Sequence, residues 1–310
     1  MTLKILYAGA KERWSEFNDE LATAFRNAGV NADLATEHAP ETVDYIVYAP
    51  NGPIKDFSPF TQLKAVLNLW AGVDTIVGNP TLRVPLTRMV DSGLREGMVE
   101  YVTGHVLRYH LGLDALLKSQ SGEWNPVIPP LARHRTVGIL GLGELGRACG
   151  EALAQLNFNV AGWSRREKWA DGITCFNGES GLEQVLSVSE IIVLLLPNTP
   201  ATESILNKER LAIIPKGAVV INPGRGTLID DDALLEALAS GHVSHATLDV
   251  FRTEPLPADH PYWGRTNVTV TPHIASETRT DTSSAVIAEN IRRNEAGETM
   301  LYLVDRTAGY

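Results

Sequence analysis

The sequence has little cysteine: only Cys149 and Cys175 in 310 residues. That excludes a disulfide framework and suits a reducing compartment. Basic residues are in deficit, 27 Lys and Arg against 37 Asp and Glu, for a formal net charge of −10, and no compensating basic run occurs. Nucleic acid is therefore not an expected partner. Long apolar runs are missing as well. The longest strongly apolar stretch, Ile191 to Leu196, falls far short of a membrane span. The opening MTLKILYAGAKERW interrupts its apolar stretch too soon for a signal peptide. A cytoplasmic location with no membrane partner is the expectation. No fixed-period repeat and no low-complexity segment stands out, and the length favours two domains, each with its own core.

What is present is organised around Thr136 to Arg147, TVGILGLGELGR. The apolar run Val137 to Leu140 reads as a buried strand. It enters Gly141-Leu142-Gly143-Glu144-Leu145-Gly146, which is G-x-G-x-x-G, and then Arg147 to Leu156, apolar at helical spacing. Strand, glycine turn and helix in that order form a dinucleotide-binding fingerprint. Gly141 makes the turn, Gly143 lets backbone approach a pyrophosphate, and Gly146 lets helix and strand pack closely. Glu144 and Leu145, between the second and third glycines, belong to the same site. The free N–H groups at the helix start would face the anion. A glycine-rich turn without ligand is the plainer alternative, and the flanking strand and helix argue against it.

Before this stretch the chain alternates between strand and helix without a glycine fingerprint. Leu3 to Tyr7 reads as a strand, and Trp14, Phe17, Leu21, Ala24 and Phe25 recur at helical spacing up to a stop at Gly29. Asp44 to Tyr48 and Leu63 to Leu69 read as buried strands around a Pro- and Gly-rich loop, Ala49 to Phe60. The second strand ends in Trp70-Ala71-Gly72-Val73-Asp74, where backbone N–H groups could hold a small anion at a strand's carboxyl end; an ordinary turn is the simpler reading of that loop alone. Val99 to Leu117 is expected to form one long helix, and Ser119 to Arg135, with three prolines, a crossing between domains. His105, His110 and His134 are read as solvated or satisfied histidines.

After the fingerprint, Phe158–Trp163, Glu190–Leu196, Ala218–Asn222, His245–Val250 and Val268–Thr271 run apolar, as in a parallel sheet covered on both faces. A helix over about Thr280 to Ala296 precedes a tail expected to rejoin the first domain and make it discontinuous. The strand after the fingerprint ends in Trp163, followed by Ser164-Arg165-Arg166. An NAD-preferring site has a carboxylate here for the ribose 2′-hydroxyl. A hydroxyl and two guanidinium groups suit a 2′-phosphate instead, so NADP(H) is expected over NAD(H).

Three later strand ends carry candidate chemistry. Asn222-Pro223-Gly224-Arg225-Gly226 presents an arginine after a glycine turn, Asp249-Val250-Phe251 leads to Glu254, and Thr271-Pro272 leads to His273-Ile274-Ala275. Hydride transfer to a 2-oxo acid needs a cation for the carboxylate and carbonyl and a proton donor near neutral pH, for which histidine is suited. A carboxylate beside that histidine would favour the imidazolium. His242 and His245, spaced H-x-x-H, resemble half a metal site, but no further ligand cluster supports one and no metal is expected.

The stretches LWAGVD, GILGLGELG, WSRR, LLLPNT, INPGRGTLID, LDVFRTEPLP, VTVTPHIA and VDRTAGY, from about residue 63 to the end, resemble the D-isomer-specific 2-hydroxyacid dehydrogenase family, most strongly its glyoxylate/hydroxypyruvate reductases of the A type. Segment 48–53, YAPNGP, matches no substrate loop of that family. The resemblance implies an α/β fold of two Rossmann-like or flavodoxin-like domains with doubly wound parallel sheets and a cleft between them. It implies a discontinuous substrate domain, 1–100 plus about 285–310, around an NADP-binding Rossmann domain at about 101–284. Arg225 would bind substrate, His273 would be the acid/base and Glu254 its partner. Trp70, Gly72 and Val73 would lie at the substrate, Gly72 and Val73 offering N–H groups to its carboxylate. Leu196, Pro197 and Thr202 would line the adenosine side of the cofactor, Asn222, Pro223 and Gly224 would touch the cofactor, and Asp249 and Ala275 would lie near the nicotinamide. A homodimer built through the cofactor domain is implied too. The expected activity is NADPH-dependent reduction of small 2-oxo acids, glyoxylate to glycolate and hydroxypyruvate to D-glycerate. The alternatives are a nucleotide-sensing, corepressor-like binding protein on the same fold, or a relative acting on formate, phosphite or a bulkier hydroxy acid.

Overall fold

A computed structural model describes residues 2–309, so Tyr310, the last residue of the VDRTAGY stretch, lies outside the described residues. The chain divides into two compact units, Met1–Leu94 with Glu277–Tyr310, and Arg95–Ser276.

In the first unit, β1 (Leu3–Ala8), β2 (Ala32–Ala35), β3 (Tyr45–Tyr48), β4 (Ala65–Asn68) and β5 (Leu86–Thr87) form one sheet in the order β2-β1-β3-β4-β5, every pair parallel. Side chains alternate across a strand, and here both faces are buried. Ile5, Tyr7, Tyr45, Val47, Ala65 and Leu67 pack on one face against Phe17, Leu21 and Phe25 of α1 (Trp14–Asn27). Ile287 and Ile291 of the C-terminal helix, Thr280–Glu295, complete that core. Leu6, Ala8, Ile46, Tyr48 and Val66 face the other way, onto Phe57, Ile76 and Leu82. The tail after the C-terminal helix stays with this unit: Leu303 bridges Thr87, and Arg306 donates to the carbonyls of Val77, Asn79 and Leu82.

The second unit holds β6 (Thr136–Leu140), β7 (Asn159–Ser164), β8 (Ile173–Asn177), β9 (Ile191–Leu194), β10 (Ala218–Asn222), β11 (Val243–Leu248) and β12 (Val268–Val270). Their order is β12-β11-β10-β9-β6-β7-β8, all parallel. The chain winds from β6 outward through β7 and β8, then returns to β9 and winds the other way. That reversal leaves a crevice at the carboxyl ends of β6 and β9, where open α/β sheets bind ligands. One face packs on α5 (Gly178–Val188) and α6 (Asp231–Ala239) through Leu182, Leu186, Leu234 and Leu238. The other packs on Val102 and Val106 of α2 (Ser92–His110) and on Cys149 and Leu153 of α4 (Glu144–Gln155). The α/β class with doubly wound parallel sheets is as expected from sequence.

Several elements differ from the sequence expectation. The helix over 99–117 is two helices: α2 begins at Ser92, where Asp91 Oδ1 accepts the Leu94 N–H at 2.6 Å, and α3 (Leu113–Lys118) follows a break. Gly112, at φ 67°, takes the left-handed conformation that ends a helix at least cost at glycine. The helix after the fingerprint starts at Glu144, directly after Gly143. Three strands went unforeseen: the edge strands β2 and β8, and the two-residue β5. Residues 119–135 lie within the second unit and do not cross between units; the chain passes between them at 94–95 and 276–277.

Candidate active site

The fingerprint glycines are held for separate reasons. Gly141 has φ 111°, and a Cβ there would lie 2.5 Å from the Leu195 carbonyl oxygen. A Cβ on Gly146 would lie 1.8 Å from the Gly141 carbonyl oxygen. Both are demanded by packing of this turn. Gly143 caps α4 without a side-chain bond, and a Cβ there would meet nothing within 4 Å. The space before this helix start is open, and its unpaired N–H groups fit an anion such as a pyrophosphate. Glu144 and Leu145 form the first turn of α4.

At the end of β7, Arg165 and Arg166 are exposed. Ser164 is buried and its hydroxyl donates to the Arg166 carbonyl at 2.6 Å. That hydroxyl braces the turn from which Arg165 and Arg166 project. After β9, Leu196 packs against the core, and the Thr202 hydroxyl donates to the Pro197 carbonyl at 2.6 Å, closing the 197–202 turn.

The three chemistry residues stand at the carboxyl ends of β10, β11 and β12, adjacent strands in the sheet. Asn222 is fully buried; its Nδ2 donates to the Arg225 carbonyl at 2.8 Å, and its Oδ1 accepts the Gly224 N–H at 3.1 Å. With buried Pro223 these bonds shape the loop that presents Arg225, whose Nη1 donates to the Gly224 carbonyl at 2.7 Å. Glu254 joins two pieces. Its Oε1 accepts the Phe251 N–H at 2.9 Å, and its Oε2 lies 2.7 Å from His273 Nδ1. With Nδ1 turned to Glu254, Nε2 is the outward nitrogen of a half-exposed ring. His273 has φ 56°, a left-handed backbone that is uncommon outside glycine.

Asp249 lies at the end of β11, beside the segment that carries His273. It is fully buried, and its oxygens accept from the Thr271 hydroxyl at 2.5 Å, the Ile274 N–H at 2.9 Å and the Ala275 N–H at 2.8 Å. It anchors the segment carrying His273.

In the first unit, Trp70 is exposed and Val73 buried, with Gly72 between these extremes. Asn68, fully buried at the end of β4, donates through Nδ2 to the carbonyls of Trp70 and Gly72, both at 2.9 Å. These bonds turn the loop so that its carbonyls are occupied. Among the described residues, no group of three or more His, Cys, Asp and Glu could hold a metal ion. His245 packs at a tilt against Tyr109, and His110 edge-on against Phe158; burial lowers the pKa of both rings.

Sequence reasoning overlooked Asn68, Thr271 and Arg252. Arg252 donates to Glu203, Ser204 and the carbonyls of Thr227 and Ile229, tying the Glu254 loop to the one that follows Arg225. For Asn68 a signal existed, a polar residue closing the apolar run AVLN.

Residues 105–275 match the family model described as D-isomer specific 2-hydroxyacid dehydrogenase, NAD binding domain. The chain is 42% identical over 257 residues to glyoxylate/hydroxypyruvate reductase A of Serratia proteamaculans, covering 80% of this chain and 82% of that one. A crystal structure of a D-isomer specific 2-hydroxyacid dehydrogenase from Xanthobacter autotrophicus Py2, in complex with NADPH and MES, superposes with a TM-score of 0.92 at 40% identity, covering 100% of both chains. The NADPH-dependent glyoxylate/hydroxypyruvate reductase of Sinorhizobium meliloti, in complex with NADP and sulfate, superposes at 0.86 with 33% identity, covering 100% of this chain and 99% of that one. With a nicotinamide-type fingerprint at the switch point and Arg, Glu and His on adjacent strand ends, this chain belongs to the D-isomer specific 2-hydroxyacid dehydrogenase family of oxidoreductases.

Proposed function

We propose that the protein reduces small 2-oxo acids with NADPH, glyoxylate to glycolate and hydroxypyruvate to D-glycerate, with His273 as acid/base. The observation that carries this reading is the 2.7 Å contact of His273 Nδ1 with Glu254, which leaves Nε2 to deliver a proton. A bound reduced nicotinamide supplies the hydride to the carbonyl carbon. His273 Nε2 gives its proton to the carbonyl oxygen, and Glu254 steadies the ring and its charge as that happens. Arg225 holds the substrate carboxylate through its fork of donors. In the first unit, the loop of Trp70, Gly72 and Val73 is assigned to recognition of the same substrate class. Arg165 and Arg166 are assigned to the 2′-phosphate, and the open face of Gly143 to the pyrophosphate.

The same reading includes a cytoplasmic homodimer. Leu117, Val127 and Leu131 are exposed, and Trp124 and Ile128 more so at 96% and 89%. Such a run of bare apolar side chains on the cofactor unit supports burial against a second copy.

The test is loss of NADPH absorbance with a panel of 2-oxo acids, for wild type and His273→Ala. Glyoxylate and hydroxypyruvate are expected to be reduced, with the variant slower by about two to four orders of magnitude. A His273→Ala protein with full rate, or no turnover of any 2-oxo acid by the wild type, overturns the reading.

A further inference from the structure

Helix α2 sets Tyr101, His105 and Tyr109 at four-residue spacing, on one side of the helix. The Tyr109 hydroxyl meets Thr247 Oγ1 of β11 at 2.6 Å. The His105 ring packs on Tyr101 with centroids 4.5 Å apart. The Tyr101 hydroxyl lies 2.7 Å from Thr271 Oγ1, just beyond β12 and two residues before His273. Thr271 Oγ1 in turn lies 2.5 Å from Asp249 Oδ1.

The direction of this chain follows from its members. A carboxylate only accepts, and threonine has a single hydroxyl hydrogen, so Thr271 donates to Asp249 and Tyr101 donates to Thr271. Burial raises the Tyr101 phenol pKa above its ordinary value, so it keeps the proton it donates. Packing of the His105 ring on Tyr101 confines the phenol further, and burial with the nearby Arg108 charge lowers the pKa of that imidazole, favouring its neutral form.

The chain ends on a segment that is under strain. Asp249 gathers the Ile274 and Ala275 N–H groups with its side chain and the His273 N–H, at 2.9 Å, with its backbone carbonyl. Between these bonds His273 holds φ 56°. A non-glycine residue held outside its common backbone regions is strained, and persists only where the surroundings over-determine it. Removing the Thr271 hydroxyl takes one of the two donors from the buried Asp249 Oδ1, leaving the Ile274 and Ala275 N–H groups to hold the carboxylate with nothing bracing it from the β12 side.

We propose that Tyr101 and Thr271 are positioning residues for the reaction, holding through Asp249 the left-handed turn that aims the His273 ring. The proposal rests on His273 being the acid/base. Both hydroxyls commit their hydrogens within this network, Tyr101 to Thr271 and Thr271 to Asp249, so their part is to position.

The test uses the full chain with Thr271→Val, Thr271→Ser, Tyr101→Phe and His273→Asn, asparagine being a residue that accepts left-handed backbone. Misplacing a reacting group by a fraction of an ångström to 1 Å costs up to about a hundredfold, so Thr271→Val is expected to lower kcat for glyoxylate by about ten- to a hundredfold. NADPH affinity should stay unchanged, Thr271→Ser should restore most of the rate, and Tyr101→Phe should fall between. In a His273→Asn background, Thr271→Val should cause no further loss, because its effect passes through the ring. The ¹⁵N imidazole resonances of His273 should move in Thr271→Val and return in Thr271→Ser. A Thr271→Val protein with full kcat, or one whose loss is equally large without His273, overturns the positioning role. If Thr271→Val does not fold, Tyr101→Phe decides: full kcat with unmoved His273 resonances overturns the proposal. Full activity of His273→Asn overturns the acid/base reading itself, and this inference with it; slow His273→Asn beside fast Thr271→Val and Tyr101→Phe overturns the inference alone.

Discussion

Gly226 and Phe251 approach so closely that a Cβ on the glycine would lie 2.0 Å from the Phe251 carbonyl carbon. The contact joins the loop presenting Arg225 to the loop whose Phe251 N–H is held by Glu254. Backbone cannot yield here as the far end of a side chain would. Gly226→Ala is therefore expected to push the two loops apart, lowering kcat by about a hundredfold for a displacement near 1 Å. Steady-state kinetics beside a thermal melt check this; a folded variant with wild-type kcat refutes it.

Cofactor choice is expected to follow Arg165 and Arg166, both exposed after β7. A hydrogen bond to a charged group contributes about 1.5–3 kcal/mol, so losing two should weaken NADPH by about a hundredfold or more. NADH should be much less affected, since it lacks the 2′-phosphate. Titration of Arg165→Ala/Arg166→Ala with both cofactors decides the matter, and equal losses would count against the assignment.

Substrate choice is expected to depend on a free carboxylate beside the carbonyl. Lysine cannot reproduce the fork of Arg225, so Arg225→Lys should be badly impaired in kcat/KM. Glyoxylate esters and simple aldehydes should hardly react, and phenylpyruvate should be poorer than glyoxylate or hydroxypyruvate. Efficient turnover of an ester, with NADPH in excess, would place the carboxylate site elsewhere.

Acid stability should depend on Glu289 of the C-terminal helix. Hydrogen bonds from Arg292, and then Arg293, hold its carboxyl at about 2, against an ordinary 4.5. A depressed folded-state value means the contribution is fully present above pH 4.5 and is lost as the pH falls toward about 2. The group is partly exposed, so solvent screening keeps the effect modest. Wild type should melt higher than Glu289→Gln at pH 6, with the two melting temperatures converging as the pH drops toward 2. A constant gap across that range would be the contrary result.

Sequence pattern revealed the strands buried on both faces, because runs such as Ile191–Leu194 and Ala218–Asn222 carry apolar residues at nearly every position. It missed β2 and β8, where ADLA and ITCFN mix polar with apolar residues because an edge strand is covered less completely. The helical spacing of apolar residues continued across Gly112 although the backbone did not, so periodicity alone joined α2 to α3. Arg225, Glu254 and His273 were legible because each follows a strand end, the place where such sheets hold ligands. Asn68 and Thr271 were not legible in the same way, and Asp249 was legible only as a cofactor-site residue that the resemblance implied, not as the anchor of the His273 segment. Their work is done by hydrogen bonds to particular backbone groups, and those partners come together only on folding.

The return of the C-terminal helix to the first unit sets an order of assembly during synthesis. Residues 95–276 leave the ribosome as one uninterrupted piece and can close their sheet immediately. The first sheet waits, because Ile287 and Ile291 cover the face made by Ile5, Tyr7, Val47 and Leu67. Until those residues emerge, that face is the exposed, sticky surface of the nascent chain, where a holding chaperone would bind. Truncated chains that end just after residue 276, once released, should accordingly be cut by protease within the early segment while the later one resists.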